Sequence, residues 1–317
     1  PICKLPNIEH TEQSFPLLFL YRKEVPDSGG AGRFRGGLSA ESCFIPHNTA
    51  AITQDTLSSG NAIPTSTGMM GGYPGATNVY RFVKGTDILE RLERRDMIED
   101  ITEVKGENVT LGLRQENFTQ QAADVYAVIW TAAGGFGDPF ERPAELVFDD
   151  WRNGAVTAKA ARELYGVAID EAKETLDEAG SKTLRESVRR GRIKARKVAP
   201  RILKGPVALR VSENLLVRME GKTAHHCCSK CDADLGSTAE NYKDHCLRHD
   251  ETVHHATPLA GDPKRYIDAV PQFRQFFCPG CGALIENEMA LAHDPVVRDI
   301  EVTVTEAMVA RPKEAAD

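Results

Sequence analysis

The sequence contains no long apolar run. Its greasiest early stretch, Leu17–Tyr21, falls far short of the roughly 18 residues that a membrane-spanning helix requires. That stretch follows Glu9 and Glu12 and has neither a basic n-region nor a cleavage site. No signal peptide and no membrane association are expected, and the expected location is cytoplasmic. Net positive charge is lacking too: 39 Lys and Arg stand against 46 Asp and Glu, a net charge of −7, which excludes the whole chain as a polyanion binder. Four signatures are missing: G-x-x-x-x-G-K-[ST], G-x-G-x-x-G opening a helix, H-E-x-x-H and G-x-S-x-G. Binding of ATP by this chain alone is therefore not expected. No internal repeat is visible. Cysteine is scarce before residue 227, where only Cys3 and Cys43 occur; both read as buried small apolar side chains. The chain opens on Pro1 rather than Met, so either a removed initiator or a longer parent protein is expected.

What is present is enough for folded structure. The 317 residues suit two domains, and 41% apolar with 27% charged residues is too apolar for a disordered chain. Six of the 8 cysteines lie beyond residue 226. Cys228-Ser229-Lys230-Cys231 and Cys278-Pro279-Gly280-Cys281 are separated by 46 residues. Each Cys-x-x-Cys makes a tight turn that aims two thiolates at one point, and two such turns complete a closed tetrahedral site, so Cys228, Cys231, Cys278 and Cys281 are the expected ligands of a structural zinc ion. Asp232 and Gly282 follow the two turns, where a positive φ is often needed. A redox dithiol is the competing reading, but it would call for one reactive pair at a helix N-terminus. Cys227 complicates the ligand count, and so do His245, Cys246 and His249. His245 and His249 are spaced to share a helical face, as a second metal site or as solvated side chains around a packed Leu247.

Along the chain, Leu17–Tyr21, Val79–Val83, Val109–Leu113 and Val125–Trp130 read as strands separated by glycine-rich turns at 28–32, 71–75 and 134–139. A short helix is expected from Thr86 or Asp87, with Ile88, Leu89 and Leu92 on one face. A second carries Leu146, Val147 and Trp151 and ends at Gly154. A third is capped by Thr157, presents Ala160, Ala161 and Leu164, and stops at Gly166 before a short strand at Val167–Ile169. Residues 182–204 hold ten Lys or Arg against the single acidic Glu186. That run reads as a nucleic-acid arm or as a connector paired with an acidic surface; no aromatic residue interrupts it to stack on bases. The expected architecture is α+β: a glycine-rich, β-dominated module with short helices over residues 1–180, a basic linker or helix over 181–205, and a zinc-ribbon domain over 206–317.

The stretch Asp27-Ser28-Gly29-Gly30-Ala31-Gly32-Arg33-Phe34-Arg35-Gly36-Gly37 resembles the glycine-rich signature of the hydantoinase B and oxoprolinase superfamily. The resemblance continues through Gly71–Ala76, Gly134–Arg142, Leu146–Gly154 and Ala160–Val167. Ala132 and Ala133 stand where that family tends to have glycine. Phe276–Gly282 and Asp294–Glu301 are similar to the zinc-binding unit of ketone-carboxylase small subunits. The resemblance implies a C-terminal part of the non-nucleotide-binding subunit of an ATP-dependent ketone carboxylase, or of a hydantoinase or oxoprolinase that opens cyclic amides such as hydantoins and lactams. Carboxylation is slightly favoured by the zinc unit. It further implies zinc in this chain, ATP and Mg²⁺ on an actin-like partner subunit of hydantoinase A type, and a ketone or cyclic amide substrate. Catalytic residues are expected in an upstream half of the same module. A stand-alone zinc-ribbon interaction module with a basic arm is the competing class.

The glycine-rich turns have two readings of their own. Gly134, Gly135 and Gly137 are candidates to present N–H groups to a phosphate or carboxylate, or they form a tight turn. Asp138 and Glu141 are acid–base candidates or a helix cap. Arg33 and Arg35 are an anion clamp or salt-bridge partners. Leu17, Leu18 and Phe19 are the expected exposed apolar face.

Overall fold

The structure, a computed structural model, describes residues 6–304; Cys3 lies outside them. The architecture is mixed α and β, sheet-rich with few helices. After α1 (Ile8–Ser14), the first part contains β1 (Leu17–Val25), β2 (Ser39–Pro46), β3 (Ala51–Leu57), β4 (Val79–Lys84), α2 (Ile88–Glu93), β5 (Glu107–Val109), β6 (Arg114–Gln121) and β7 (Val125–Ile129). Five of these strands form an antiparallel sheet in the order β1-β2-β7-β4-β5. β7 lies at its centre, and all five of its residues are buried because both faces are covered. Val125 and Ala127 point into one core with Cys43, Ile45, Val83 and Ile88. Tyr126 and Val128 point into the other with Phe82 and Leu111. This is the two-residue period of a strand.

The strand expected at Val109–Leu113 stops at Val109. The chain leaves the sheet there to reach β6, which pairs with β3 in a separate two-stranded sheet, and Leu111 is buried in the crossover. Leu17, Leu18 and Phe19 are half-buried on β1. The large exposed apolar side chains include Phe34, Met69 and Phe136 instead.

Three glycine-rich loops cross beside the sheet and bond backbone to backbone. Gly30 N donates to Ala133 O (2.9 Å), Tyr73 N to Ala31 O (2.7 Å), Gly135 N to Tyr73 O (2.9 Å) and Phe136 N to Phe34 O (2.9 Å). A Cβ on Gly135 would lie 2.2 Å from Ala31 O, and one on Gly72 would lie 2.1 Å from Gly135 O. No larger residue permits so close an approach.

Helices α3 (Ala144–Arg152) and α4 (Ala158–Tyr165) follow, then the hairpin β8 (Ala168–Asp170) and β9 (Thr175–Asp177), and α5 (Glu178–Arg192). Thr157 caps α4 through Ala160 N, and Gly166 ends it in the left-handed conformation with φ 62°. The second part holds a four-stranded sheet of β10 (Val207–Arg210), β11 (Leu215–Glu220), β12 (Thr223–Cys228) and β13 (Asp234–Ser237). A three-stranded sheet of β14 (Leu247–Thr252), β15 (Pro271–Phe277) and β16 (Leu284–Leu291) accompanies it, with the single turn α6 (Val253–Ala256) between β14 and β15. His249 lies on the strand β14, while His245 closes a turn before it. The helical face expected for the pair is therefore absent, because β14 is paired along its length with β15.

The two parts share one core. Ala31, Tyr73, Val147, Ala161 and Tyr165 pack in the same cluster as Phe273, Phe277 and Leu284. Tyr73 meets Phe273 edge-on at 5.0 Å, and its hydroxyl accepts a hydrogen bond from Gln275 Nε2 (2.7 Å). The basic run at 182–204 supplies much of the seam. Arg185 donates to Tyr165 O (2.9 Å) and Arg142 O (2.8 Å), and Arg196 to Pro279 O (2.9 Å). Arg192 lies between the rings of Phe140 (4.5 Å) and Phe277 (4.3 Å) and donates to Gly282 O (3.1 Å). Desolvated cation–π contacts of this kind contribute about 2 kcal/mol each. Arg192→Ala is expected to cost about 3 kcal/mol in urea unfolding. Arg192→Lys should recover less than half of it, because an ammonium does not stack between two rings as a planar guanidinium does. Equal stability of Arg192→Ala and wild type would show that the sandwich carries no weight.

Candidate metal centre

The two Cys-x-x-Cys turns are built alike. The first joins β12 to β13 and the second joins β15 to β16. In the first, Cys228 N donates to Ala233 O (2.9 Å) and Asp232 N to Cys228 O (2.9 Å). In the second, Cys278 N donates to Ala283 O (2.8 Å) and Gly282 N to Cys278 O (2.9 Å). Asp232 (φ 58°) and Gly282 (φ 73°) take the left-handed conformation that reverses the chain after each turn.

The turns bring Cys228, Cys231, Cys278 and Cys281 together, with all four Sγ atoms within 4.8 Å of one another. Cys228 Sγ lies 3.7 Å from Cys281 Sγ, and Cys231 Sγ lies 3.5 Å from Cys278 Sγ. A tetrahedron of sulfurs around an ion at about 2.3 Å has edges of about 3.8 Å, so the spacing fits a metal such as zinc. Gly280 N donates to Cys278 Sγ (3.3 Å). A Cβ at position 280 would meet Cys231 Sγ at 2.6 Å, so the short loop needs glycine there. Leu215, Leu235, Tyr242 and Ile285 enclose the sulfurs.

Cys227 and Cys246 lie outside the cluster, and burial raises both thiol pKa values, that of Cys227 to about 12. His245 and His249 face Glu240 and Glu251 instead of a shared ion. Among the described residues the four cysteines are the one group of three or more metal-ligating side chains in reach of a single ion.

The residues put forward for anion binding lie close by and are engaged within the chain. Gly135 N and Gly137 N donate to Tyr73 O and Met69 O, and Gly134 packs with its α-carbon against Gly68. Asp138 is fully buried and caps the following turn. Its Oδ1 accepts from Phe140 N (2.9 Å) and its Oδ2 from Leu284 N (3.1 Å). Arg33 pairs with Glu213 (2.5 Å), and Arg35 pairs with Asp150 (3.1 Å).

Glu141 ties the metal-site turn to the first part of the chain. It pairs with Lys230, inside the first Cys-x-x-Cys, at 2.7 Å, and with Arg189 of α5. Sequence reasoning did not single out Lys230, whose position between two cysteines carries no signal of a partner some ninety residues earlier.

With this geometry in place, the kind of chain is defined: a glycine-loop β module and a four-cysteine module fused through one core. Residues 2–139 match the family model Hydantoinase B/oxoprolinase, and residues 202–311 match the family model Acetone carboxylase gamma subunit. The chain thus joins a segment similar to hydantoinase B/oxoprolinase to a segment similar to the acetone carboxylase gamma subunit, each match covering less than half of its length. It is 31% identical over 204 residues to the acetone carboxylase alpha subunit of Xanthobacter autotrophicus, covering 59% of this chain and 26% of that one. It is 35% identical over 175 residues to the caprolactamase subunit beta of Pseudomonas jessenii, covering 55% and 27%. A solved nucleotide-free structure of acetone carboxylase superposes with a TM-score of 0.53 at 29% identity, covering 62% of this chain and 27% of that one. The chain therefore spans about a quarter of the length of these relatives. No helix among the described residues is long and apolar enough to cross a membrane.

The Glu141 cluster predicts a pH dependence. Burial works against its charge, but Lys230 and Arg189 outweigh burial and hold the carboxyl below its ordinary value of 4.5. A carboxyl depressed in the folded state contributes stability that is fully present above that value and is lost as pH falls through the folded pKa. Glu141→Gln should cost about 1 kcal/mol at pH 7 and flatten the acid side of the stability profile. An unchanged acid limb in urea titrations would remove Glu141 as a contributor.

Proposed function

We propose that the chain is part of the non-nucleotide-binding subunit of an ATP-dependent enzyme that carboxylates a ketone, and that it works with an actin-like ATP-binding subunit of hydantoinase A type. The observation that carries this reading is the fusion itself. A hydantoinase B-type segment and a segment of acetone carboxylase gamma type share a core, so that two pieces of one carboxylase machinery are held in fixed register. The similarity to an acetone carboxylase alpha subunit supports the same reaction class. The similarity to a caprolactamase subunit supports a second reading, ATP-dependent opening of a cyclic amide. In both, ATP and Mg²⁺ reside on the partner, and the reacting groups come from the remainder of the module. This chain's own contribution is a rigid platform: Gly135, Gly137 and Asp138 brace the loop crossing from within, and Gly134, Arg33 and Arg35 lie at its edge as the candidates to meet an anionic substrate or partner.

In this reading the four cysteines hold one structural zinc ion. A closed Cys₄ shell has no open position, so the ion supplies folding energy and no reacting water. Four thiolates around Zn²⁺ carry a net charge of about −2. Arg192 and Arg196, which donate to carbonyls of the second turn, offset part of that charge, while Arg189 and Lys230 pair with Glu141 beside the site. The basic run is thus a counter-charge within the chain, and the reading as a nucleic-acid arm is not needed to account for it.

Two measurements test the proposal. Elemental analysis of protein purified without chelator should give one zinc per chain. Gly280→Ala and Cys278→Ser should lower that content and the melting temperature together, since zinc binding in such sites is largely expressed as folding; zinc-free protein of full stability would end the structural-zinc reading. Reconstitution decides the reaction. Supplied with the rest of the module and the ATP-binding subunit, the complex should turn over ATP when given a ketone and bicarbonate. Turnover with a lactam and none with ketones would make the hydrolase reading the correct one.

A further inference from the structure

The glycine-rich loop at 69–72 holds a carboxylate that belongs to the other end of the chain. Met70 (φ 53°) and Gly71 (φ 90°) are consecutive left-handed residues, and both of their N–H groups reach the side chain of Glu286 on β16. Met70 N donates to Oε2 (3.1 Å) and Gly71 N to Oε1 (2.9 Å), so each oxygen receives one bond. Asn287 N adds a third bond to Oε1 (3.0 Å). The next side chain locks the same loop from the opposite direction, with Asn287 Nδ2 donating to Gly72 O (2.8 Å).

Glu286 is buried, and among the described residues no lysine or arginine forms an ion pair with it. The nearby Lys243 pairs with Glu288 (3.2 Å) and Asp299 (3.0 Å) instead. Burial works against the charge of Glu286, and the hydrogen bonds that hold the carboxylate all come from backbone N–H groups, with Lys243 favouring the charge from a distance. Successive N–H groups of this kind form a concave anion site, and the two-pronged contact matches the two oxygens of a carboxylate. Glu286 also lies on the wall of a cavity of about 350 Å³ that includes Thr67, Gly68, Met69 and Lys243, so the site has a route for a small molecule.

We infer that the Met70–Gly71 turn is a carboxylate-binding nest of the hydantoinase B-type segment, occupied in this chain by Glu286 of the gamma-type segment, and that a free carboxylate takes its place when that side chain is removed. The inference does not depend on which reaction the complex performs. It gives the glycine-rich loop a ligand class, the planar oxyanion R–COO⁻, and gives Glu286 the role of an internal ligand that docks one segment on the other.

The test uses the full 317-residue chain and sodium formate as the probe, with sodium chloride at equal ionic strength as the control. In Glu286→Ala, formate should shift the amide resonances of Met70 and Gly71 saturably and raise the melting temperature above the chloride control. In wild type it should do neither. Formate shifts absent from Glu286→Ala, or equal in wild type and variant, overturn the nest. Should Glu286→Ala fail to fold, Glu286→Gln keeps the shape and removes the charge. Hydrogen-exchange protection at Met70 and Gly71 should then fall at least ten-fold while that at Tyr73, which bonds Ala31 O, is kept. Unchanged protection at Met70 and Gly71 overturns the inference.

Discussion

Backbone packed directly on backbone is the constraint on which the structure depends. Where the loops at 30–37, 68–76 and 132–137 cross, the separation leaves no room for a Cβ at Gly30, Gly36, Gly72, Gly75 or Gly135. Backbone hydrogen bonds across that crossing satisfy groups that would otherwise be buried without partners. The result is a stiff, nearly side-chain-free platform. The Tyr73 hydroxyl, the Asp138 carboxylate and the backbone N–H groups of Met70 and Gly71 are among the points at which the C-terminal part attaches to it. The glycines act less as flexible points than as spacers of zero thickness.

The arginine-rich helix α5 has a related role. Its sequence invites a reading as a solvated or nucleic-acid-binding arm, yet Arg185, Arg189 and Arg192 are directed inward, onto carbonyls, carboxylates and aromatic faces on both sides of the seam. Arg190, one position round the helix, pairs among the described residues only with Glu186 in the same helix. Charge count alone cannot separate these two roles; the direction of each side chain around the helix does.

Much of the fold and the candidate site was legible in the sequence, for identifiable reasons. β1, β4 and β7 stand out because each is a compact apolar run, and α4 because its cap and its terminating glycine are both standard signals. The convergence of Cys228, Cys231, Cys278 and Cys281 was legible from their spacing alone. β6 was not, because its sequence RQENFTQQ is almost wholly polar. It is held by pairing with β3, and its buried Gln120 bonds Phe44 O and Asp124 O. The contacts across the seam were illegible for a different reason. Glu286, Gln275 and Lys230 are ordinary polar residues locally, and their roles come from partners far off in the chain.

That distance bears on how the molecule forms. The bond from Gln275 to Tyr73 spans 202 residues, and the bonds from Met70 and Gly71 to Glu286 span 216 and 215. Closing such loops precedes the contacts that reward it, which slows folding. During synthesis the aromatic face of Tyr73 stays uncovered until β15 and β16 have left the ribosome, about 200 residues and some 10–40 s later at ordinary elongation rates. The nascent chain is therefore most open to aggregation in the interval between completion of β7 and release of β16, and translation speed or chaperone capture over that interval sets how much of it reaches the joined state.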